Sequence, residues 1–285
     1  MANMLKGNFS TFAEPVPPSA EAWERRREEI RRTLRELFGA QPPLFVPEAS
    51  VDRAEAREGY RLEHFTFANG AGDEVYGYAM IPDGREGRGP AILYHHYHGG
   101  KYGSGKGEVI DPSAFDKYGG LGFAPAERLA QMGYVVVGID AYGFGERRWQ
   151  GPAGDREEGR QTEWALSKVF LWQGRNLWGM MVRDDLLALN YLCSRAEVDP
   201  ARIACMGMSM GATRSWWLAA LEDRIKACVS VSCLTRYQNL IAAGGVNHHG
   251  FYYFVPGMLA RGVDAEAVVR SEAHTSELQS RITIS

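Results

Sequence analysis

Arg202-Ile-Ala-Cys-Met206, then Gly207-Met-Ser209-Met-Gly211, then Ala212-Thr-Arg-Ser-Trp-Trp-Leu-Ala-Ala-Leu221, is the stretch whose reading decides the fold. A short apolar run ends in glycine, the chain turns at one residue, and an apolar helical run follows. Gly-x-Ser-x-Gly between a strand and a helix predicts a nucleophile elbow. Its requirement is steric. Ser209 must adopt strained backbone geometry to lift its hydroxyl clear of the sheet. The residues two before and two after must be small, so that strand and helix can approach. The helix start then aims free N–H groups and the positive end of its dipole at the reacting centre. The blander reading of the same pentapeptide is a serine that only caps a helix.

Upstream, Tyr134-Val-Val-Val-Gly-Ile-Asp140 and Ala91-Ile-Leu-Tyr-His95 read as buried strands, and Ala124 to Met132 as a helix between them. Tyr60 to Phe67 and Glu74 to Ile81 read as a hairpin around Asn69-Gly70. Trp178 to Ser194 is predicted helical, and Ile225 to Val231 a further strand. Strands alternating with helices after an opening hairpin indicate an α/β protein whose sheet is mostly parallel and flanked by helices. Ser19 caps a predicted amphipathic helix through Trp23, Ile30, Leu34 and Phe38, which Gly39 and Pro42-Pro43 end. Residues 1–58 therefore read as an N-terminal extension with one helix, and 59–269 as the main domain. Asn247 to Pro256 is aromatic, as a loop over a pocket would be.

The chain has 285 residues, 32 basic against 35 acidic side chains, and a formal net charge of −3. That balance offers no electrostatic footprint for nucleic acid or an anionic membrane. No run reaches the ~20 apolar residues of a membrane span, and the start lacks a secretory pattern, so a cytoplasmic location is expected. Cys193, Cys205, Cys228 and Cys233 lack Cys-x-x-Cys spacing and read as free thiols rather than a disulfide or zinc framework.

Acyl transfer needs an oxyanion hole. One expected donor is the backbone N–H of Met210. The second is expected from His95-His-Tyr97-His98-Gly-Gly100, with the Tyr97 N–H first and the His98 N–H next.

These residues resemble α/β-hydrolases of the dienelactone hydrolase and acetyl xylan esterase kind. The resemblance rests on His95 to Gly100, Asp140 to Arg147, Gly207 to Gly211 and His249 to Pro256, and spans roughly Tyr60 to Val269. It implies an α/β-hydrolase fold and a serine hydrolase that cleaves a small acyl ester, including an acetylated carbohydrate, with no cofactor. Dienelactone hydrolases proper use Cys as nucleophile, so Ser209 favours the esterase side. The resemblance also implies an acid and then a His after the later strands. Those strands are expected beyond Val269, leaving the sheet short of its last strands. Arg270-Ser-Glu-Ala-His-Thr-Ser-Glu-Leu-Gln-Ser280 resembles a translated sequencing-adapter read, and 270–285 is read as an artefact of that kind. Asp264 and His274 follow Ser209 in the right order, but His274 sits in that tail and Asp264 reads as a helix-start charge. His98, His248 and His249 are expected to line the pocket.

Other signals have plainer readings. His95, His96 and His98 suggest a metal, yet adjacent strand residues point to opposite faces and no carboxylate completes the set, so no metal is expected. Gly100 to Gly107 is near a P-loop, but Gly107 stands where Ser or Thr would hold magnesium. Competing functions are a serine peptidase of the prolyl oligopeptidase type and a non-catalytic α/β domain.

Overall fold

The computed structural model describes residues 17–272. Its sheet has seven strands: β1 (Ser50–Arg57), β2 (Tyr60–Ala68), β3 (Glu74–Pro82), β4 (Gly89–His95), β5 (Val135–Ile139), β6 (Val198–Met208) and β7 (Ile225–Val231), in the order β1-β2-β3-β5-β4-β6-β7. The first strands and the β3–β5 pair are antiparallel, whereas β5, β4, β6 and β7 run parallel. This is the α/β-hydrolase arrangement expected from the sequence. The swap of β4 and β5 makes the crossover that opens a crevice at the carboxyl ends of β4 and β6.

Every residue of β5 is buried, as its unbroken apolar run requires of a parallel central strand. The helices are α1 (Ala20–Phe38), α2 (Pro125–Gln131), α3 (Arg160–Trp172), α4 (Leu177–Ser194), α5 (Met210–Leu221), α6 (Tyr237–Ala242) and α7 (Ala265–Glu272). Ser19 caps α1 by accepting the Ala22 N–H at 3.2 Å. The apolar face of α1 puts Phe38 against Trp217, ring centroids 5.3 Å apart. Arg31 then seals the seam to α5, reaching the Ala220 carbonyl and Asp223, each at 2.6 Å. Trp216 and Trp217 are core residues.

The elements not expected include β1, α3 and the short α6. β1 lies inside the stretch read as an N-terminal extension, so the sheet begins at Ser50. Its sequence, Ser-Val-Asp-Arg-Ala-Glu-Ala-Arg, lacks apolar alternation because the strand is an exposed edge held by pairing with β2. Within α3 the buried side includes Thr162, Glu163 and Ser167, which hides its amphipathic period. At the opposite edge, β7 pairs only with β6 among the described residues, and Val229 and Val231 are half exposed. No helix among the described residues is long and apolar enough to cross a membrane. Of the adapter-like segment 270–285, residues 270–272 close α7, and 273–285, with His274, lie outside the described residues.

Candidate active site

Ser209 sits between β6 and α5 with φ 55° and ψ −118°, a backbone region that favours glycine. Holding a serine there costs about 1–3 kcal/mol, which the surroundings must supply. They do so with two bonds: the Ser209 N–H donates to the Val231 carbonyl at 2.9 Å, and the Thr213 N–H donates to the Ser209 carbonyl at 3.0 Å. The flanking glycines are compulsory. A Cβ on Gly211 would lie 2.0 Å from the His95 carbonyl oxygen, and one on Gly207 would lie 2.5 Å from the Gly211 carbonyl carbon. The sequence places the elbow correctly because its constraint is local sterics.

The Ser209 hydroxyl is half-buried, and Cys233 Sγ lies 3.6 Å from it. Ser232 and Cys233 also take left-handed φ values, 66° and 60°, as the chain turns past the serine. Among the described residues no histidine is hydrogen-bonded to Ser209. Met210 opens α5, so its N–H belongs to the first turn, where helical N–H groups have no intrahelical acceptor.

The loop after β4 departs from expectation. The Tyr97 N–H donates at 2.5 Å to the buried Glu108 carboxylate and is spent there, not presented to substrate. Glu108 arrives on the short 3-10 helix Gly105–Ile110. Burial pushes its carboxyl up to about 8, against the opposing pull of the Tyr97 N–H. The Tyr97 hydroxyl donates to the Ala114 carbonyl at 2.8 Å, so its side chain is anchored as well. The His98 N–H, second in expectation, has no acceptor among the hydrogen bonds of the described residues.

Beneath the elbow lie buried polar groups in matched pairs. His95 Nδ1 is 2.8 Å from Ser215 Oγ, which donates at 2.8 Å to the Gly211 carbonyl. Arg214 pairs with Asp185, and Arg147 with Asp184 at 2.8 Å. His95 and His96 do point apart. His96 Nδ1 is 2.9 Å from the Tyr97 carbonyl oxygen, and Nε2 accepts the Ala141 N–H at 3.1 Å. Burial holds both imidazoles well below the usual histidine range, so they are neutral. Lys106, in the P-loop-like stretch, is buried against Asp140 at 2.8 Å and also meets Glu146.

His98, His248 and His249 line one cavity of about 480 Å³ with Arg160, Glu163 and Trp164. Glu163 escaped sequence reasoning because nothing in a helical run marks an inward carboxylate. It accepts the Tyr102 hydroxyl at 2.9 Å and the Phe251 N–H at 3.0 Å, tying the aromatic segment to α3. Tyr252 stacks over His98 and Trp178. Asp264 serves structure: it accepts the Tyr237 and Ala265 N–H groups, each at 2.7 Å, so its carboxylate joins α6 to α7.

The family model described as the dienelactone hydrolase family matches residues 122–249. YtaP of Bacillus subtilis (strain 168), a protein assigned as a hydrolase, is 36% identical over 232 residues, covering 81% of this chain and 73% of its own. Among solved structures, a protein from Bacteroides fragilis NCTC 9343 assigned as an acetyl xylan esterase superposes with a TM-score of 0.75 at 21% identity. That match covers 95% of this chain and 71% of the other. A glucuronoyl esterase from Solibacter usitatus gives a TM-score of 0.65 at 15% identity, over 93% and 76% of the two chains. At these identities the structural matches are matches of fold.

Proposed function

The chain belongs to the dienelactone hydrolase family, a family of carboxylic ester hydrolases, and from that premise we propose that Ser209 is the nucleophile of an acyl-enzyme reaction on a small acyl ester. The observation that carries this reading is the Ser209 backbone. A serine held at φ 55° between a strand and a helix N-terminus is strain without a structural return, unless the hydroxyl is used.

In the proposed reaction the Ser209 oxygen attacks the ester carbonyl and its proton passes to a histidine that an acid orients. The oxyanion accepts the Met210 and His98 N–H groups. The tetrahedral adduct collapses, the alcohol leaves with the proton, and water then frees the acid from Ser209. An acetylated carbohydrate suits the cavity that His98 lines. Trp164, Phe251 and Phe254 offer flat apolar faces there, and Arg160, Asn247 and His248 offer polar edges. A sugar presents the same combination of an apolar ring face and a hydroxyl rim.

A fluorophosphonate probe and p-nitrophenyl acetate test the proposal. Labelling and turnover are expected in the wild type and lost in Ser209→Ala. Turnover that survives the substitution would overturn the assignment.

One observation favours the non-catalytic alternative: among the described residues the polar partner of the Ser209 hydroxyl is a thiol, not an imidazole. That reading predicts no labelling in the folded wild-type protein.

A further inference from the structure

We propose that Glu108 and His96 are positioning residues that aim the His98 N–H at the reacting carbonyl as the second oxyanion donor. The inference rests on the Ser209 esterase reading.

The argument begins with the cost of Glu108. It is 1% exposed, and among the described residues no basic side chain forms a salt bridge with it, Arg214 and Lys101 attracting it only from farther away. A buried carboxyl without a salt bridge is expensive, and hydrogen bonds must justify it. It accepts the Tyr97 N–H at 2.5 Å and the Tyr94 hydroxyl at 3.3 Å. The shorter bond fixes the peptide that enters Tyr97.

His96 fixes the peptide that leaves it. The Ala141 N–H donates to His96 Nε2, so the neutral ring carries its proton on Nδ1 and donates it to the Tyr97 carbonyl. No peptide bond among the described residues is cis. In a trans peptide the C=O and N–H point opposite ways. The Tyr97 carbonyl faces the fully buried His96 ring, which lies against Phe144. The His98 N–H of the same plane therefore points away from that ring, and it has no acceptor among the hydrogen bonds of the described residues. Two side chains with no route to substrate thus set the orientation of one N–H. Preorganisation of this kind is what makes an oxyanion hole effective, because the donors need not reorient as charge develops.

Three variants in the full chain test the idea. Glu108→Gln keeps an oxygen that can accept the Tyr97 N–H. Glu108→Leu keeps the size and removes the acceptor. His96→Phe keeps the ring and removes the Nδ1–H. With p-nitrophenyl acetate, Glu108→Leu and His96→Phe are expected to lower kcat roughly 30-fold while KM stays within about threefold. Glu108→Gln is expected to stay within about threefold of the wild type in both. Phenylboronic acid, which forms a tetrahedral adduct on serine, is expected to bind Glu108→Leu more weakly by about the same factor as the kcat loss. Amide hydrogen exchange at Tyr97, whose N–H Glu108 accepts, is expected to be at least about tenfold faster in Glu108→Leu than in Glu108→Gln.

Equal losses in Glu108→Leu and Glu108→Gln, a loss confined to KM, or equal exchange rates at Tyr97 would each overturn the proposal. If Glu108→Leu does not fold, the kcat of His96→Phe decides. Absence of any Ser209-dependent turnover in the wild type would sink the esterase reading instead, and the exchange comparison would still judge the anchoring.

Discussion

Arg214 meets Asp185 through two parallel contacts, Nε to Oδ2 at 3.0 Å and Nη2 to Oδ1 at 2.5 Å, and both side chains are buried one turn behind the elbow. The pair ties α5 to α4, so the helix that follows Ser209 is locked from behind by planar, bidentate charge recognition. Removing one partner leaves the other charge buried and uncompensated. Arg214→Ala is therefore expected to cost about 3–5 kcal/mol. Urea unfolding of the two proteins measures it, and a loss under about 1 kcal/mol would contradict this account.

The strain at Ser209 has a thermodynamic signature separate from catalysis. Ser209→Ala and Ser209→Gly both remove the hydroxyl, but only glycine adopts φ 55° at no steric cost. Ser209→Gly is expected to be more stable than Ser209→Ala by about 1 kcal/mol, although both are inactive. Thermal unfolding decides this, and an alanine variant of equal or greater stability would refute it.

The raised carboxyl of Glu108 predicts a pH-dependent stability. It titrates at about 8 when folded, against an ordinary value of 4.5. Between those values the folded protein holds a proton that the unfolded chain has released. Stability therefore falls as pH rises through that window. Glu108→Gln lacks this group, so its stability relative to the wild type is expected to climb from pH 5 to 8 and then level off. Unfolding midpoints at pH 5, 7 and 9 check it; a difference that is flat or shrinks with pH would count against it.

Cys233 offers a chemical probe of the site. Its sulfur is 3.6 Å from the Ser209 oxygen, and Cys205 by contrast is buried. Carbamidomethylation of Cys233 is expected to abolish Ser209-dependent turnover by filling the space in front of the hydroxyl. In Cys233→Ala the same treatment is expected to change turnover less than about twofold. Peptide mass spectrometry with parallel rate assays tests this; full turnover with Cys233 quantitatively modified would refute it.

Much of the fold was legible because its signals are local. The Val135–Ile139 run can only be a buried strand, and the Gly207–Gly211 spacing is a steric condition on one turn. The α1 face repeats at helical period because one side meets Trp217. β1 was not legible, since its residues face solvent and only β2 holds them in line. The Tyr97 N–H stood first among the expected oxyanion donors of the loop after β4. The fold assigned that group elsewhere by bringing Glu108, eleven residues along the chain, beneath it.

By itself, then, the sequence determined the layered α/β architecture and the strained turn that presents the Ser209 hydroxyl, because each depends on neighbours within a few residues. Only the tertiary structure decided which backbone N–H groups remain free, that Glu163 anchors the aromatic segment, and that Asp264 joins α6 to α7. The reason is physical. Every residue but proline carries the same N–H, so no side-chain pattern marks the one that faces substrate. Its direction is set by whichever distant carboxylate or imidazole the fold desolvates beside it, since a buried polar group must find its partner there.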